Sequence, residues 1–192
     1  EIVSRDWSSD VCSSDLWNGI SLPSTVNIDS AFDRCLINSI KKNLPKLDGD
    51  ILEIGCAPGK WLSFFYKEYN LNIYGIEYSK FGYNKTLKNF EILKISESEI
   101  YNKDFFEIQP SKKFDIVISL GFIEHFVDLD NVMKRHLDWL KPNGFLIIGV
   151  PNFSGIYKPI QYLLNKDILF KHNLSIMNLK FFNEIDSKFQ LK

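Results

Sequence analysis

Residues Ile51 to Gly59 read Ile-Leu-Glu-Ile-Gly-Cys-Ala-Pro-Gly, a short apolar strand that runs straight into a glycine-bounded loop. Gly55 and Gly59 let the backbone turn sharply and approach a ligand where a Cβ would obstruct it. Glu77 lies at the end of the next apolar segment. A carboxylate one strand away from such a loop can accept hydrogen bonds from ribose hydroxyls, so the pair points to an adenosyl-containing ligand held at the ends of parallel strands.

The rest of the chain is built around that unit. Ile28, Phe32, Leu36, Ile37, Ile40 and Leu44 recur at three- and four-residue steps, which predicts an amphipathic helix over Asn27–Leu44, capped by Asn27 or Asp29 and stopped by Pro45 and Asp48-Gly49. Asp50–Ile54 reads as a buried strand, Lys60–Tyr69 as the helix leaving the glycine loop and Asn72–Glu77 as the second strand. Ser79 is placed to cap a helix reaching about Ile95. Glu99–Lys103 is a weaker third strand, and Phe114–Leu120, rich in β-branched residues, is a central one. A helix from about Asp128 to Leu140 closes on the turn Lys141-Pro142-Asn143-Gly144, and Phe145–Val150 is the fifth strand. Tyr157–Asn165 and Leu179–Phe189 have helical spacing. Such alternation predicts an α/β fold in three layers, a mostly parallel sheet between helices, with ligands beyond the carboxyl ends of the strands.

A length of 192 residues suits one such domain, with no second one required. No apolar run approaches the roughly 18 to 20 residues of a membrane helix, and the first residues lack a basic-then-apolar secretion profile, so a cytoplasmic protein without membrane insertion is expected. Cys12, Cys35 and Cys56 fit neither a disulfide framework nor a metal site, and no metal is expected. Residues 1–16 follow no helical or strand period. Asp6 to Leu16 resembles the translation of a short-read sequencing adapter, so a non-native, disordered segment is expected there. Without its four acids and one base the formal charge moves from −1 to about +2. The lysines are scattered along the chain, which argues against a nucleic-acid partner.

Taken together, Ile51–Gly59, Gly75-Ile76-Glu77, Asp104-Phe105-Phe106, Phe114–Ser119 and Leu140–Gly144 resemble, in order, the motifs of class I S-adenosylmethionine-dependent methyltransferases. The resemblance covers residues 50–151 as a cofactor-binding core, with 17–49 as a helical lead-in and 152–192 as an acceptor-side segment. It implies a Rossmann-like αβα sandwich cut short before its last strands, and S-adenosyl-L-methionine as cofactor. By the same resemblance Glu53, Gly55, Cys56, Ala57, Pro58 and Gly59 surround the methionine and ribose portions. Glu77, with Tyr78 beside it, takes the ribose hydroxyls. Asp104 accepts from the adenine amine and Phe105 stacks on the ring or bonds it through its backbone. Ser119, Leu120 and Gly121 lie next to the reactive methyl. Ala57 departs from the pattern, standing where the family most often has a second glycine; it is tolerated there if its φ is negative.

Glu124-His125 follows the central strand where an acceptor would lie, and two roles stay open: a catalytic base, or a positional contact that shapes the loop. Asn152, Tyr157 and His172 are candidate substrate residues in the segment that commonly shapes the acceptor pocket in this family. His136 is expected at the surface or its boundary, and Trp61 and Cys56 in packing roles. The expected reaction is methyl transfer by in-line displacement to a small-molecule, sugar or lipid acceptor. Three alternatives remain. An RNA methyltransferase is one, although Ser119-Leu120-Gly121 lacks the Asp such enzymes place there. A cofactor-binding core without activity is the second. A nicotinamide-dependent dehydrogenase is the third, but its Gly-x-Gly-x-x-Gly pattern is interrupted by Ala57 and Lys60.

Overall fold

The structure, a computed structural model, describes residues 19–152 and 173–189. The expected non-native segment 1–16, the helix at Tyr157–Asn165, Tyr157 and His172 lie outside the described residues. In chain order the elements are α1 (Ala31–Asn43), β1 (Asp50–Ile54), α2 (Lys60–Tyr69), β2 (Asn72–Ile76), α3 (Lys80–Leu93), β3 (Ser98–Tyr101), β4 (Phe114–Leu120), a 3-10 turn (Ile123–His125), α4 (Leu129–Asp138), β5 (Leu140–Gly149), a second 3-10 turn (Leu174–Ile176) and α5 (Leu179–Phe189). The strands form one sheet in the order β3-β2-β1-β4-β5, and every pairing among them is parallel.

Adjacent residues of a strand point to opposite faces, and in this sheet both faces are covered. Ile51, Ile73, Ile116 and Ile118 meet Ile37 and Ile40 of α1, Trp61, Leu62 and Phe65 of α2, and Phe90 of α3. Leu52, Ile54, Ile76 and Val117 face Phe105, Phe122, Val132, Trp139 and Ile176 on the other side. This is the three-layer arrangement expected from the alternation, and Trp61 and Cys56 are buried in it as expected.

Three boundaries differ from expectation. The cap of α1 is Ser30, whose side chain accepts from the Asp33 amide, while the Asn27 side chain accepts from the Asp29 amide and closes a turn before the helix. Ile28 and Phe32 are consequently 69% and 53% exposed, and the buried stripe is Asp33, Ile37 and Ile40. α4 stops at Asp138, and the strand after it begins at Leu140, ahead of the expected turn. Lys141–Gly144 is an irregularity inside β5: the register passes from Phe114↔Leu140 to Ile116↔Phe145, and Asn143 takes φ 64°. β3 ends at Tyr101, which leaves Asn102 and Lys103 in the loop.

Candidate active site

β1 delivers the glycine loop to the carboxyl edge of the sheet. Gly55 and Gly59 have φ of 72° and 81°, and Gly59 is the N-cap of α2. The Gly55 and Cys56 amides donate to the Ile76 carbonyl at 2.9 and 3.3 Å, and the Gly59 amide donates to the Cys56 carbonyl. Ala57 is not among the positive-φ residues, so its side chain carries no backbone penalty there. Gly59 also has a packing reason: a Cβ at that position would lie 2.5 Å from the Phe90 ring. Asn89, fully buried on α3, donates to the Pro58 carbonyl and to the Ser24 carbonyl, and accepts from the Ser24 amide. It thus ties the loop to the segment before α1. Lys60 pairs with buried Asp33 at 2.8 Å, a second tie from the loop to α1.

Two acids stand at this edge. Glu77 is 4% exposed and its two oxygens accept from the Ala57 amide (3.2 Å) and the Ser79 amide (2.8 Å), so it clamps the loop and also the start of α3. Burial pushes its pKa up to about 7, against those two bonds, which lower it. Glu53 is buried in β1, and its Oε2 has no hydrogen-bond partner. Burial pushes its pKa up to about 8; the Leu62 amide at the start of α2 and the Lys60 ammonium oppose this, and the Glu77 carboxylate adds to it. A buried carboxyl oxygen without a partner is costly to keep ionised.

The neighbouring loop forms a cleft of about 620 Å³ lined by Tyr78, Asn102, Lys103, Asp104, Glu107, Ile108 and Gln109. Asn102 donates to the Glu77 and Tyr78 carbonyls and so joins the ends of β2 and β3. Asp104 is half-buried and accepts from the Phe106 amide. Phe105 is 3% exposed, and its ring packs edge-on against Phe106, Phe122 and His136. In this conformation its stacking face is turned into the core, and the exposed ring at this end is Tyr78.

β4 brings Ser119, Leu120 and Gly121 to the same edge, Ser119 in register with Ile54 just before the glycine loop. Gly121 turns the chain at φ 71°, and a Cβ on it would lie 3.6 Å from Glu124 Oε1. Glu124 is 1% exposed with an unpartnered Oε2, and burial raises its pKa to about 7. His125 is half-buried beside it. The Asn173 amide donates to the Glu124 carbonyl at 2.7 Å, which brings the second described segment onto this loop. Asn152 is exposed just past β5.

Against expectation, His136 is fully buried. Its Nδ1 is 2.8 Å from the Val132 carbonyl and its Nε2 is 3.0 Å from Ser119 Oγ. Its place on the inward face of α4, beside buried Val132 and Met133, is the signal that could have found it. The link from Asp33 to Lys60 and those from Asn89 to Pro58 and Ser24 had no such signal, because these partners lie 27, 31 and 65 residues away. Among the described residues no group of three or more His, Cys, Asp or Glu could hold a metal ion, and no helix is long and apolar enough to cross a membrane.

A family profile described as a methyltransferase domain matches residues 30–190. Among curated relatives, a probable (S)-tetrahydroprotoberberine N-methyltransferase of Papaver bracteatum is 24% identical over 51% of this chain and 28% of its own length. A ubiquinone biosynthesis O-methyltransferase of Bradyrhizobium diazoefficiens is 41% identical over 24% of this chain and 18% of its own. The chain spans between 18% and 42% of the length of the curated relatives it matches. The fold is that of Haemonchus contortus phosphoethanolamine N-methyltransferase 2 in complex with S-adenosyl-L-methionine. That structure has a TM-score of 0.61 and 23% identity, covering 82% of this chain and 36% of that one.

Proposed function

This chain belongs to the methyltransferase-domain family, and on that premise we propose that it binds S-adenosyl-L-methionine at the carboxyl edge of its sheet and transfers the methyl group to a small-molecule, sugar or lipid acceptor. The observation that carries the proposal is the junction of the two motifs: the glycine loop and Glu77, twenty residues apart, meet through the Ala57 amide at 3.2 Å. The residues fit the group. Glu53 offers a buried oxygen without a partner, Gly55 and Gly59 turn the loop at positive φ, and a cleft opens at Tyr78, Asn102 and Asp104. Gly55–Gly59 with Cys56, Ala57 and Pro58 would hold the methionine and ribose portions, Glu77 and Tyr78 the ribose, and Asp104 with the backbone of Phe105, whose ring is turned into the core, the adenine. Ser119–Gly121 would border the methyl.

When bound, the cofactor would supply a methyl carbon on a positively charged sulfur, open to in-line displacement by an acceptor lone pair with the electron pair of the broken carbon–sulfur bond left on sulfur. The leaving group is already activated, and the residues contribute mainly by holding the reactants in line and excluding water. Glu124, kept protonatable near neutral pH by burial, can hold the proton that an oxygen or nitrogen acceptor loses. His125 takes the positional role on the same loop. Asn152, Tyr157 and His172 are proposed on the acceptor side.

The relatives are named for N-, O- and carbon methylation, so the acceptor atom is open among nitrogen, oxygen and carbon. Lysines scattered along the chain instead of gathered in a stripe, and Ser119-Leu120-Gly121 without the Asp that RNA enzymes place there, argue against RNA, and the family argues against a nicotinamide cofactor. We place the protein in the cytoplasm, a reading supported by free Cys35 and Cys56. A cofactor-binding core without transfer is the second reading. Incubation with methyl-labelled cofactor and a panel of amine, phenol, carboxylate and lipid acceptors separates the two. Label in any acceptor supports transfer; label in none, with the cofactor bound, supports the binding core.

A further inference from the structure

His136 has one interpretable protonation pattern. A carbonyl oxygen only accepts, so the 2.8 Å contact from Nδ1 to the Val132 carbonyl places the imidazole proton on Nδ1. The ring is fully buried and packs edge-on against Phe105 (5.1 Å) and Phe122 (5.8 Å), surroundings that favour the neutral form. In a neutral ring protonated at Nδ1, Nε2 is an acceptor. The 3.0 Å contact to Ser119 is therefore a hydrogen bond donated by the Ser119 hydroxyl. Its proton is committed to the imidazole, and its remaining lone pairs are left to accept.

The rings around His136 reach the other parts of the site. Phe122 is the side chain that a Cβ on Gly55 would meet, at 3.2 Å, so it lies against the glycine loop. Phe105 follows Asp104, and its carbonyl accepts from Arg135, the residue beside His136 on α4, at 3.0 Å. One turn of α4 thus touches the end of β4, the loop after β3 and, through Phe122, the loop after β1.

We propose that His136 is a positioning residue of the cofactor site: as the Nδ1–H tautomer it orients the Ser119 hydroxyl at the end of β4 and fixes the Phe105 and Phe122 rings between the adenine-side loop and the glycine loop. The role rests on the cofactor assignment above, but the tautomer does not. Replacing the imidazole frees the Ser119 proton and loosens both rings, so ligand affinity falls although neither His136 nor its bond to Ser119 is part of the glycine loop.

The test uses the full chain. Long-range proton–nitrogen NMR at pH 7 is expected to show His136 protonated at Nδ1 with an unprotonated Nε2. An Nε2–H tautomer or an imidazolium signal overturns the proposal without any ligand present. Calorimetry with S-adenosylhomocysteine then compares wild type, S119A, H136F and the double variant. Each single variant is expected to weaken binding about 5- to 20-fold, the double variant no more than the worse single one, and S119T to restore most of the affinity. Additive losses, or S119A binding like wild type, refute the role. If H136F does not fold, S119A and S119T with the His136 tautomer signal still decide it. A wild-type chain that keeps the tautomer but does not bind S-adenosylhomocysteine refutes the cofactor assignment, and with it the positioning role.

Discussion

The buried carboxyl of Glu53, with one oxygen unpartnered, makes stability depend on pH in a direction opposite to ordinary acid denaturation. Moving that carboxyl from 4.5 to about 8 means that the folded chain keeps its proton across a window in which the unfolded chain has lost it. Stability then falls as pH rises from about 4.5 through 8. At ~1.4 kcal/mol for each pH unit, ionising Glu53 in place costs on the order of 5 kcal/mol, and relaxation of the loop or entry of water reduces that to several. Glu77, raised to about 7, adds to the same slope. His136, lowered to about 4 by burial, works the other way: its contribution is complete above 6.5 and is lost as pH falls toward 4. Urea unfolding of wild type and E53Q at pH 5, 6, 7 and 8 isolates the Glu53 part, because glutamine imitates the protonated acid. The variant should match wild type within about 1 kcal/mol at pH 5 and exceed it by about 2 to 4 kcal/mol at pH 8. Parallel curves for the two proteins across the whole range would refute the reasoning.

Gly59→Ala should destabilise by more than about 2 kcal/mol and abolish ligand binding, since the backbone is at φ 81° and the new methyl meets the Phe90 ring; thermal unfolding and calorimetry check both. Asn89→Ala should cost about 2 to 3 kcal/mol by orphaning the Pro58 carbonyl and both Ser24 groups. It should also expose the segment before α1 to limited proteolysis, whereas an unchanged cleavage pattern would mean that the tie is not holding it. Glu77→Ala should weaken S-adenosylhomocysteine binding by about 2 to 3 kcal/mol; unchanged affinity would remove Glu77 from the site.

The central strands β1 and β4 were legible because each is an apolar run with most of its residues buried, whereas β3, Ser-Glu-Ile-Tyr at the sheet edge, gave a weaker signal. Ser79 caps α3 as its position implies. Periodicity was less informative for α1, because Asn27, Asp29 and Ser30 are all capping types and only the fold selects Ser30. That choice leaves Ile28 and Phe32 outside the helix's buried stripe. Proline and glycine in Lys141–Gly144 looked like a full stop between helix and strand, yet pairing of Leu140 with Phe114 starts β5 before them. At the site, the loop and Glu77 were visible as sequence, but the inward turn of Glu77 onto Ala57 was not. Nor were the links from Asp33 to Lys60, from Asn89 to Ser24 and Pro58 and from His136 to Ser119, because those hydrogen bonds join residues 17 to 65 apart in the chain, which local patterns do not encode.

The glycine loop and Glu77 together form the proposed site for an S-adenosyl ligand. Calorimetry on the full chain at pH 7, with S-adenosylhomocysteine and NAD titrated separately, tests it most directly. Saturable one-to-one binding of S-adenosylhomocysteine, lost in Gly59→Ala and absent for NAD, is the predicted result. Binding of NAD alone, or of neither ligand by a folded chain, would contradict it.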